Sequence, residues 1–350
     1  MVSEAPPFWW SKSDWRAWSL MPVSWIYGAV ARSRMEKAPR VTVDVPVICV
    51  GNLTVGGAGK TPTALALAAV AKKAGFVPGF LSRGYQGSLR TTTVVETDRH
   101  NARDVGDEPL LLAARAITVV SPDRHKGALR LIEEGVDMII MDDGFQSAAI
   151  HFDFALLVID AIRGIGNGHV IPGGPMRAQL LDQMSRASAL LVIGEGSAAD
   201  RVIRMAGRAA KPVYTARLKV QKPRSFKSCR VLAYAAIGNP DKFFDSLRSV
   251  GAEIVVSRGF GDHHAFTEEE AADLLDIAAK QDLELITTSK DMARLKGASG
   301  LAAELAAKTR VLEVTLDIDP ADQATEMIEK SVQAFKKRRL VASSYNPAEA

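Results

Sequence analysis

Apolar runs rich in β-branched residues alternate with segments of helical period along most of the chain, and the elements follow from that alternation. The run 41–50, ending in Val47-Ile48-Cys49-Val50, is apolar on both faces and predicts a buried strand. Comparable runs predict strands at 77–81, at Val94 and Val95, and at 117–120, 136–141, 154–159, 190–193 and 213–220. Small and apolar residues from Lys60 to near Ala74, and the segments 110–116 and 126–134, predict helices between them. Strands alternating with helices at this spacing predict a mostly parallel sheet covered on both faces, with ligands at the carboxyl ends of its strands. A polar, basic stretch at 221–227 reads as a linker. Beyond it a strand at 230–237, a Gly238-Asn239-Pro240 turn and a helix at 241–250 begin a smaller α/β unit. Thr267-Glu268-Glu269-Glu270 is a capping-box pattern opening a helix to Ala279, strands at 283–287 and 311–316 complete the unit, and 341–350 reads as a loose tail.

The first residues break the pattern. All five tryptophans, Trp9, Trp10, Trp15, Trp18 and Trp25, fall within the first 25 residues, beside Phe8, Leu20, Met21, Ile26 and Tyr27. Lys12, Asp14 and Arg16 interrupt the stretch, so it is neither a secretory signal nor apolar enough to span a bilayer. Trp15, Trp18 and Trp25 can share a helical face with Lys12 and Arg16 lying elsewhere, as in a helix seated in a lipid interface. A helix capping the domain's own core is the alternative.

Composition narrows the partners. The 350 residues are 47% hydrophobic and 24% charged, ordinary for a soluble chain of about two domains. A net charge of +4 and a pI of 9.0 suit an anionic substrate or a membrane surface. They do not call for nucleic acid: no basic run is interleaved with aromatics before Lys336-Lys337-Arg338-Arg339, and that run reads as a solvated tail. Nothing in the sequence calls for an obligate protein partner. Cys49 and Cys229 are far apart, with no CxxC spacing, which points to the reducing cytosol and away from a thiolate metal site.

The chemistry gathers around Val47 to Thr63. A strand, the glycine break Gly56-Gly57-Ala58-Gly59 and a helix opening at Lys60-Thr61 make the context of a phosphate-binding loop spanning Thr54, Val55, Gly56, Gly57, Ala58, Gly59, Lys60 and Thr61. Backbone amides turn onto phosphate oxygens, Lys60 reaches the outer phosphates and the Thr61 hydroxyl ligates Mg²⁺. Thr54 stands where the general motif has its first glycine, and a plain glycine turn is the bland alternative. The apolar strand 136–141 runs into Asp142-Asp143, where an NTPase keeps its second metal-binding carboxylate; Asp142 would hold Mg²⁺, and Asp143 would ligate it or orient the acceptor. Asp107, before Glu108-Pro109, has the residue types of a helix N-cap. Asp262-His263-His264 offers no metal pair, because adjacent side chains point apart. Arg83, Arg124, Arg163 and Arg177 are candidate phosphate contacts, and two of them flank the glycine- and proline-rich segment 164–176.

Six motifs in order, GNLTVGGAGKTP at 51–62, SRGY at 82–85, GDEP at 106–109, MDDGFQ at 141–146, GNGHVIPGGPMR at 166–177 and FGDHHAF at 260–266, resemble the tetraacyldisaccharide 4'-kinase family of lipid A biosynthesis. The resemblance runs from Pro7 to about residue 320, and Thr54 departs from the general motif but not from the family's. It implies a kinase that moves the γ-phosphoryl group of ATP, with Mg²⁺, to the 4'-hydroxyl of an acylated glucosamine disaccharide 1-phosphate, forming lipid IVA, peripheral to the cytoplasmic face of the inner membrane. It further implies that Lys60 and Thr61 serve phosphates and Mg²⁺, that Asp142 and Asp143 serve the metal and the site's geometry, and that Asp107 is the base with His263 tuning it. The implied organisation is an aromatic membrane-contacting helical segment at 1–38, a P-loop kinase domain at 39–225, an α/β domain at 226–335 and a tail at 336–350. A membrane-bound partitioning-type switch ATPase is the competing class; its loop carries a lysine before the two glycines, where this chain has Val55. A GTPase fits less well, since Thr288-Ser289-Lys290-Asp291 is a poor substitute for the Asn-Lys-x-Asp guanine motif.

Overall fold

The computed structural model describes residues 5–11, 14–37, 40–147, 149–320 and 322–345; Lys12 and the end of the expected tail lie outside these. Thirteen strands occur among the described residues: β1 (Val47–Asn52), β2 (Pro78–Ser82), β3 (Thr93–Val94), β4 (Thr118–Val120), β5 (Met138–Asp142), β6 (Phe154–Asp160), β7 (Ala189–Ile193), β8 (Val213–Val220), β9 (Arg230–Ala235), β10 (Glu253–Gly259), β11 (Glu284–Thr288), β12 (Thr309–Leu312) and β13 (Val314–Asp319). Nine form one sheet in the order β13-β8-β7-β6-β1-β5-β2-β4-β3, and four form a second in the order β10-β9-β11-β12. Every pairing is parallel except β13 with β8 and β3 with β4, at the two edges of the large sheet.

Strand β1 sits near the middle of the large sheet, paired with β5 and β6, and all its residues are buried. Its side chains alternate between two cores: Val47 and Cys49 join one with Leu81, Met141 and Leu157, while Ile48 and Val50 join the other with Leu67, Phe80 and Ile140. A strand buried on both faces has no polar side to show, which is why its sequence runs apolar without alternation. The helix Lys60–Lys73 covers one face through Ala64, Leu67 and Ala71, and the helix Arg124–Glu133 covers the other through Ala128 and Leu131.

Three expectations are corrected. The strand at 311–316 is two strands: β12 ends in the small sheet, and β13 pairs antiparallel with β8, so the chain returns to the large sheet at Val314. The last helix, Asp322–Tyr345, then packs Ala324, Met327 and Ile328 into the large sheet's core, and Arg338 in the basic run pairs with the buried carboxylate of Asp153 at 2.9 Å; this segment is an integral helix and no solvated tail. The linker at 221–227 is a 3₁₀ turn, Pro223–Phe226, anchored by Phe226 in the small core.

The aromatic start forms a 3₁₀ turn, Pro7–Trp10, and two helices, Trp15–Ser19 and Met21–Lys37. The tryptophans divide. Trp9 is 8% exposed and donates its Nε1–H to Pro172 O at 2.9 Å, whereas Trp15, Trp18 and Trp25 are 74%, 58% and 70% exposed. No helix among the described residues is long and apolar enough to cross a membrane.

Candidate active site

The carboxyl ends of strands from both sheets face one cleft of about 2150 Å³. Strand β1 feeds the glycine loop, and Gly59 takes φ of 94° as N-cap of the helix Lys60–Lys73. Only glycine serves there, since a Cβ would lie 2.6 Å from Ile193 Cδ1 as well as in the left-handed region. Lys60 and Thr61 open the helix, both buried, where free backbone N–H groups and the helix dipole favour an anion. Thr54 and Val55 lead into this cradle. Val55 donates its N–H to Pro175 O at 2.8 Å, and Thr54 bridges Met176 while its carbonyl accepts from Arg177 Nε at 3.3 Å. The Val55 N–H and the Thr54 carbonyl are thus taken by the 170–177 segment, while Val55 still lines the cleft beside Gly56; Ala58 spends its N–H within the loop, on Gly56 O at 3.1 Å.

Because β5 adjoins β1, its end delivers two carboxylates to the same spot. Thr61 Oγ1 donates to Asp142 Oδ2 at 3.2 Å, and Lys60 Nζ lies 3.5 Å from Asp143 Oδ2. Asp142 Oδ1 is buried with no partner among the described residues. Burial first, then the negative charge of Glu108, push its pKa up. Asp143 adopts φ of 56° and clasps Arg177 with both oxygens at 2.9 and 3.0 Å. Burial would raise its pKa too, but Lys60 and Arg177 outweigh burial and hold the carboxyl at about 2. Asp143 is therefore already neutralised by protein, and Asp142 is not. A hydroxyl beside a carboxylate with an orphaned oxygen, at the foot of a phosphate loop, fits a small hard cation that takes its other ligands from phosphate and water. No group of three or more His, Cys, Asp or Glu suited to a metal occurs among the described residues.

A second centre lies across the cleft. Gly106, at φ of 93°, separates the helix Ala102–Val105 from the helix Asp107–Ala113, and a Cβ there would meet Tyr85 O at 2.6 Å. Asp107 is thus the first helical residue and not the N-cap, a correction to the capping expectation, although its Oδ1 accepts the Glu108 N–H at 2.9 Å. Its Oδ2 meets two side chains from the small unit, His263 Nδ1 at 3.1 Å and Arg294 Nε at 2.8 Å. Burial would raise the Asp107 pKa, but His263, Arg294 and Lys290 together hold it well below the usual carboxylate range. Burial would likewise lower that of His263, but Asp107 outweighs burial and raises it. Beside this pair Lys290 Nζ reaches Glu108 Oε1 at 2.5 Å.

Of the two adjacent histidines, the structure brings His263 to Asp107 and turns His264 away to Glu270 Oε2 at 2.8 Å, inside the capping box of the helix Glu268–Gln281. The arginines separate as well. Arg177 serves Asp143, and buried Arg124 donates Nη2 to Asp143 O at 3.4 Å. Arg83 is exposed in the cleft, and Arg163 lies over the Trp10 ring and donates Nη1 to Gly238 O at 2.7 Å. Gly238, from the small unit, sits so close to the phosphate loop that a Cβ on it would come within 3.4 Å of Gly57 N. Lys242 also crosses the cleft, to Asp160 Oδ2 at 2.7 Å. Lys290 and Arg294 as site residues escape the sequence reading; the single available signal was Thr288-Ser289-Lys290-Asp291 following an apolar strand.

Comparisons with known proteins give the family. The family described as tetraacyldisaccharide-1-P 4'-kinase matches residues 16–333. A tetraacyldisaccharide 4'-kinase of Rhizobium leguminosarum bv. trifolii is 56% identical over 340 residues, covering 97% of this chain and 95% of its own. One from Sinorhizobium fredii is 56% identical over 343 residues, covering 98% of this chain and 99% of its own. Among solved structures, LpxK from Aquifex aeolicus in complex with ATP superposes with a TM-score of 0.69 at 25% identity, covering 90% of this chain and 99% of that one.

Proposed function

The chain belongs to the tetraacyldisaccharide 4'-kinase family, and we propose that it transfers the γ-phosphoryl group of ATP to the 4'-hydroxyl of a tetraacyldisaccharide 1-phosphate, a step of lipid A biosynthesis. The observation that most supports the residue roles is the meeting of Asp107 and His263, one from each unit, at the wall of the cleft, where His263 and Glu108 line the same space as the phosphate loop. A sugar hydroxyl is a weak nucleophile at neutral pH, so a carboxylate that takes its proton as the new bond forms lowers the barrier. In the proposed step Asp107 receives the proton of the 4'-hydroxyl. The hydroxyl oxygen bonds to the γ-phosphorus, the bond from that phosphorus to the β–γ bridging oxygen breaks, and ADP leaves with the electron pair.

Lys60 and the loop amides stabilise the charge spread over the phosphate oxygens. Thr61 and Asp142 would hold Mg²⁺, which would supply positive charge against that developing on the phosphates. Asp143, anchored by Arg177, aims Lys60. The small unit brings His263 and the Gly238 turn over the nucleotide, so the site is complete only when the two units are together, which limits hydrolysis in the absence of acceptor. Exposed Trp15, Trp18, Trp25 and Ile26 support a peripheral seat on the cytoplasmic face of the inner membrane, where the acylated acceptor resides.

Incubation with γ-labelled ATP, Mg²⁺ and tetraacyldisaccharide 1-phosphate in mixed micelles tests the reading. Label is expected in the lipid, on the 4'-oxygen. Vesicle-stimulated phosphate release with no labelled lipid would establish the switch ATPase in its place.

A further inference from the structure

We propose that Arg294 is a positioning residue for phosphoryl transfer: it holds Asp107 by Oδ2 so that Oδ1 receives the acceptor's proton, and Asp291 holds Arg294 in turn. The inference rests on the reading of Asp107 as the base. It comes from the segment after β11, which resembles a guanine-recognition motif poorly and which the nucleotide chemistry leaves unused. In the fold, the helix Ser289–Leu295 carries Lys290 to the wall of the cleft and Asp291 and Arg294 to the buried layer behind it.

All three guanidinium nitrogens of Arg294 are engaged. Nε and Nη2 donate to Asp107 Oδ2 at 2.8 and 2.5 Å, while Nη1 donates to Ala236 O at 2.7 Å and Asp291 Oδ1 at 2.6 Å. Asp291 in turn accepts the Ala236 N–H at 3.1 Å and the hydroxyls of Thr287 and Thr288 at 3.2 and 2.6 Å. The carbonyl of Ala236 also accepts the His263 N–H at 3.1 Å. Arg294 and His263 therefore stand on one platform at the end of β9, and Asp107 plugs into it with a single oxygen. Its other oxygen, Oδ1, accepts only the Glu108 N–H among the described residues.

Two physical points separate this from a plain structural ion pair. The side chains of Asp107, Arg294 and Asp291 are 5%, 7% and 0% exposed, and a buried charge cluster is a poor source of stability because desolvation offsets the attraction. His263 Nδ1 and two nitrogens of Arg294 converge on the one oxygen Oδ2, so that oxygen is held from two sides while Oδ1 keeps only the Glu108 N–H among the described residues. The same contact sets the carboxylate's proton affinity. Facing Asp107 are His263, Arg294 and Lys290 as cations, with Glu108 beside it, Asp291 behind Arg294 and Asp262 beside His263. Burial favours the neutral acid, and the cations overcome it.

The test is the pH profile of kcat/KM, with kcat and KM for ATP, for wild type, Asp107→Asn, Arg294→Gln and Arg294→Lys in the labelled-lipid assay. For Arg294→Gln, kcat is expected to fall about 10- to 100-fold with KM for ATP little changed. Its profile should gain an acid limb displaced upward by about one pH unit or more relative to wild type, because one cation next to the carboxylate is gone. Arg294→Lys should restore the position of that limb but not kcat, since an ammonium keeps the charge and loses the fork. A wild-type kcat in Arg294→Gln, or equal losses in both variants with the limb unmoved, overturns the inference. Should Arg294→Gln fail to fold, Arg294→Lys decides alone, and an undiminished kcat there is equally fatal. Near-wild-type turnover by Asp107→Asn is a different failure, which removes the base reading itself.

Discussion

Adjacent carboxylates at the end of one strand have opposite surroundings. Asp143 is neutralised by Lys60 and Arg177, while Asp142 keeps an oxygen with no partner among the described residues. Asp142→Asn should therefore abolish the response of kcat to added Mg²⁺ and lower kcat by about 10²-fold or more, whereas Asp143→Asn should lower kcat and leave the Mg²⁺ midpoint nearly in place. A Mg²⁺ titration of both variants separates them, and identical midpoint changes would contradict the assignment. A second expectation concerns His263 and pH. Its folded pKa is raised by Asp107, so its contribution to stability is complete below the ordinary imidazole value of about 6.5 and is lost as pH rises through the folded value. Asp107 is depressed, so its contribution is complete above the ordinary carboxylate value of about 3.9 and is lost as pH falls through the folded one. The melting-temperature gap between wild type and His263→Gln should thus be widest between these values, near about pH 5.5, and narrow toward alkaline pH. Lys60, Thr61 and Asp142 were legible in the sequence because loop and strand-end chemistry fixes their spacing. Arg294 was not, because the carboxylate that explains it lies 187 residues earlier.

At the scale of elements, boundaries made by backbone conformation were harder to read than interiors made by apolar runs. Gly106 divides what reads as one loop and one helix into two helices, and so moves Asp107 from cap to first turn. Gly106→Ala would force a Cβ onto Tyr85 O in a left-handed conformation, with an expected loss of about 1–3 kcal/mol in urea unfolding and a fall in kcat as Asp107 moves. Unchanged stability would show that the 83–87 loop yields freely. Strand β10 went unread for another reason: it is an edge strand with Glu253, Ser257 and Arg258 exposed and Ile254 and Val256 only half-buried, so its apolar signal is short. The aromatic start divides along the same logic of surroundings, with Trp9 packed on Pro172 and the helix tryptophans in solvent. Because every tryptophan lies in that segment, intrinsic fluorescence reports on it alone. Anionic vesicles should shift the wild-type emission to the blue, and Trp18→Ala with Trp25→Ala should weaken vesicle binding while leaving the melting temperature nearly unchanged, since both side chains are exposed. A lower melting temperature in that double variant would favour the core-capping alternative.

For the whole molecule, the small unit is an insertion: the chain leaves the large sheet after β8 and returns at β13, closing with the helix Asp322–Tyr345. That return was illegible because Lys336-Lys337-Arg338-Arg339 has the composition of a solvated end, and the group that gives Arg338 its place, Asp153, lies 185 residues away. Asp153 also accepts the Val47 N–H at 3.0 Å, at the start of the strand that carries the phosphate loop, and Arg338 Nη2 donates to Val43 O at 3.1 Å. The closing helix is therefore tied to the entry of β1, on the opposite end of the sheet from the cleft. Arg338→Ala would leave a buried carboxylate whose remaining neighbours are the Val47 amide and His151 Nε2, 3.8 Å away. Removing one partner of a buried pair costs about 3–5 kcal/mol, and the partial exposure of Arg338 puts the expectation at the lower end, about 3 kcal/mol by chemical denaturation. The active site is remote from this contact, so the folded variant should keep kcat and KM close to wild type while unfolding earlier. A solvated tail would instead tolerate Arg338→Ala with no measurable loss, and Lys337→Ala, a change to an exposed neighbour in the same basic run, supplies that baseline within one experiment.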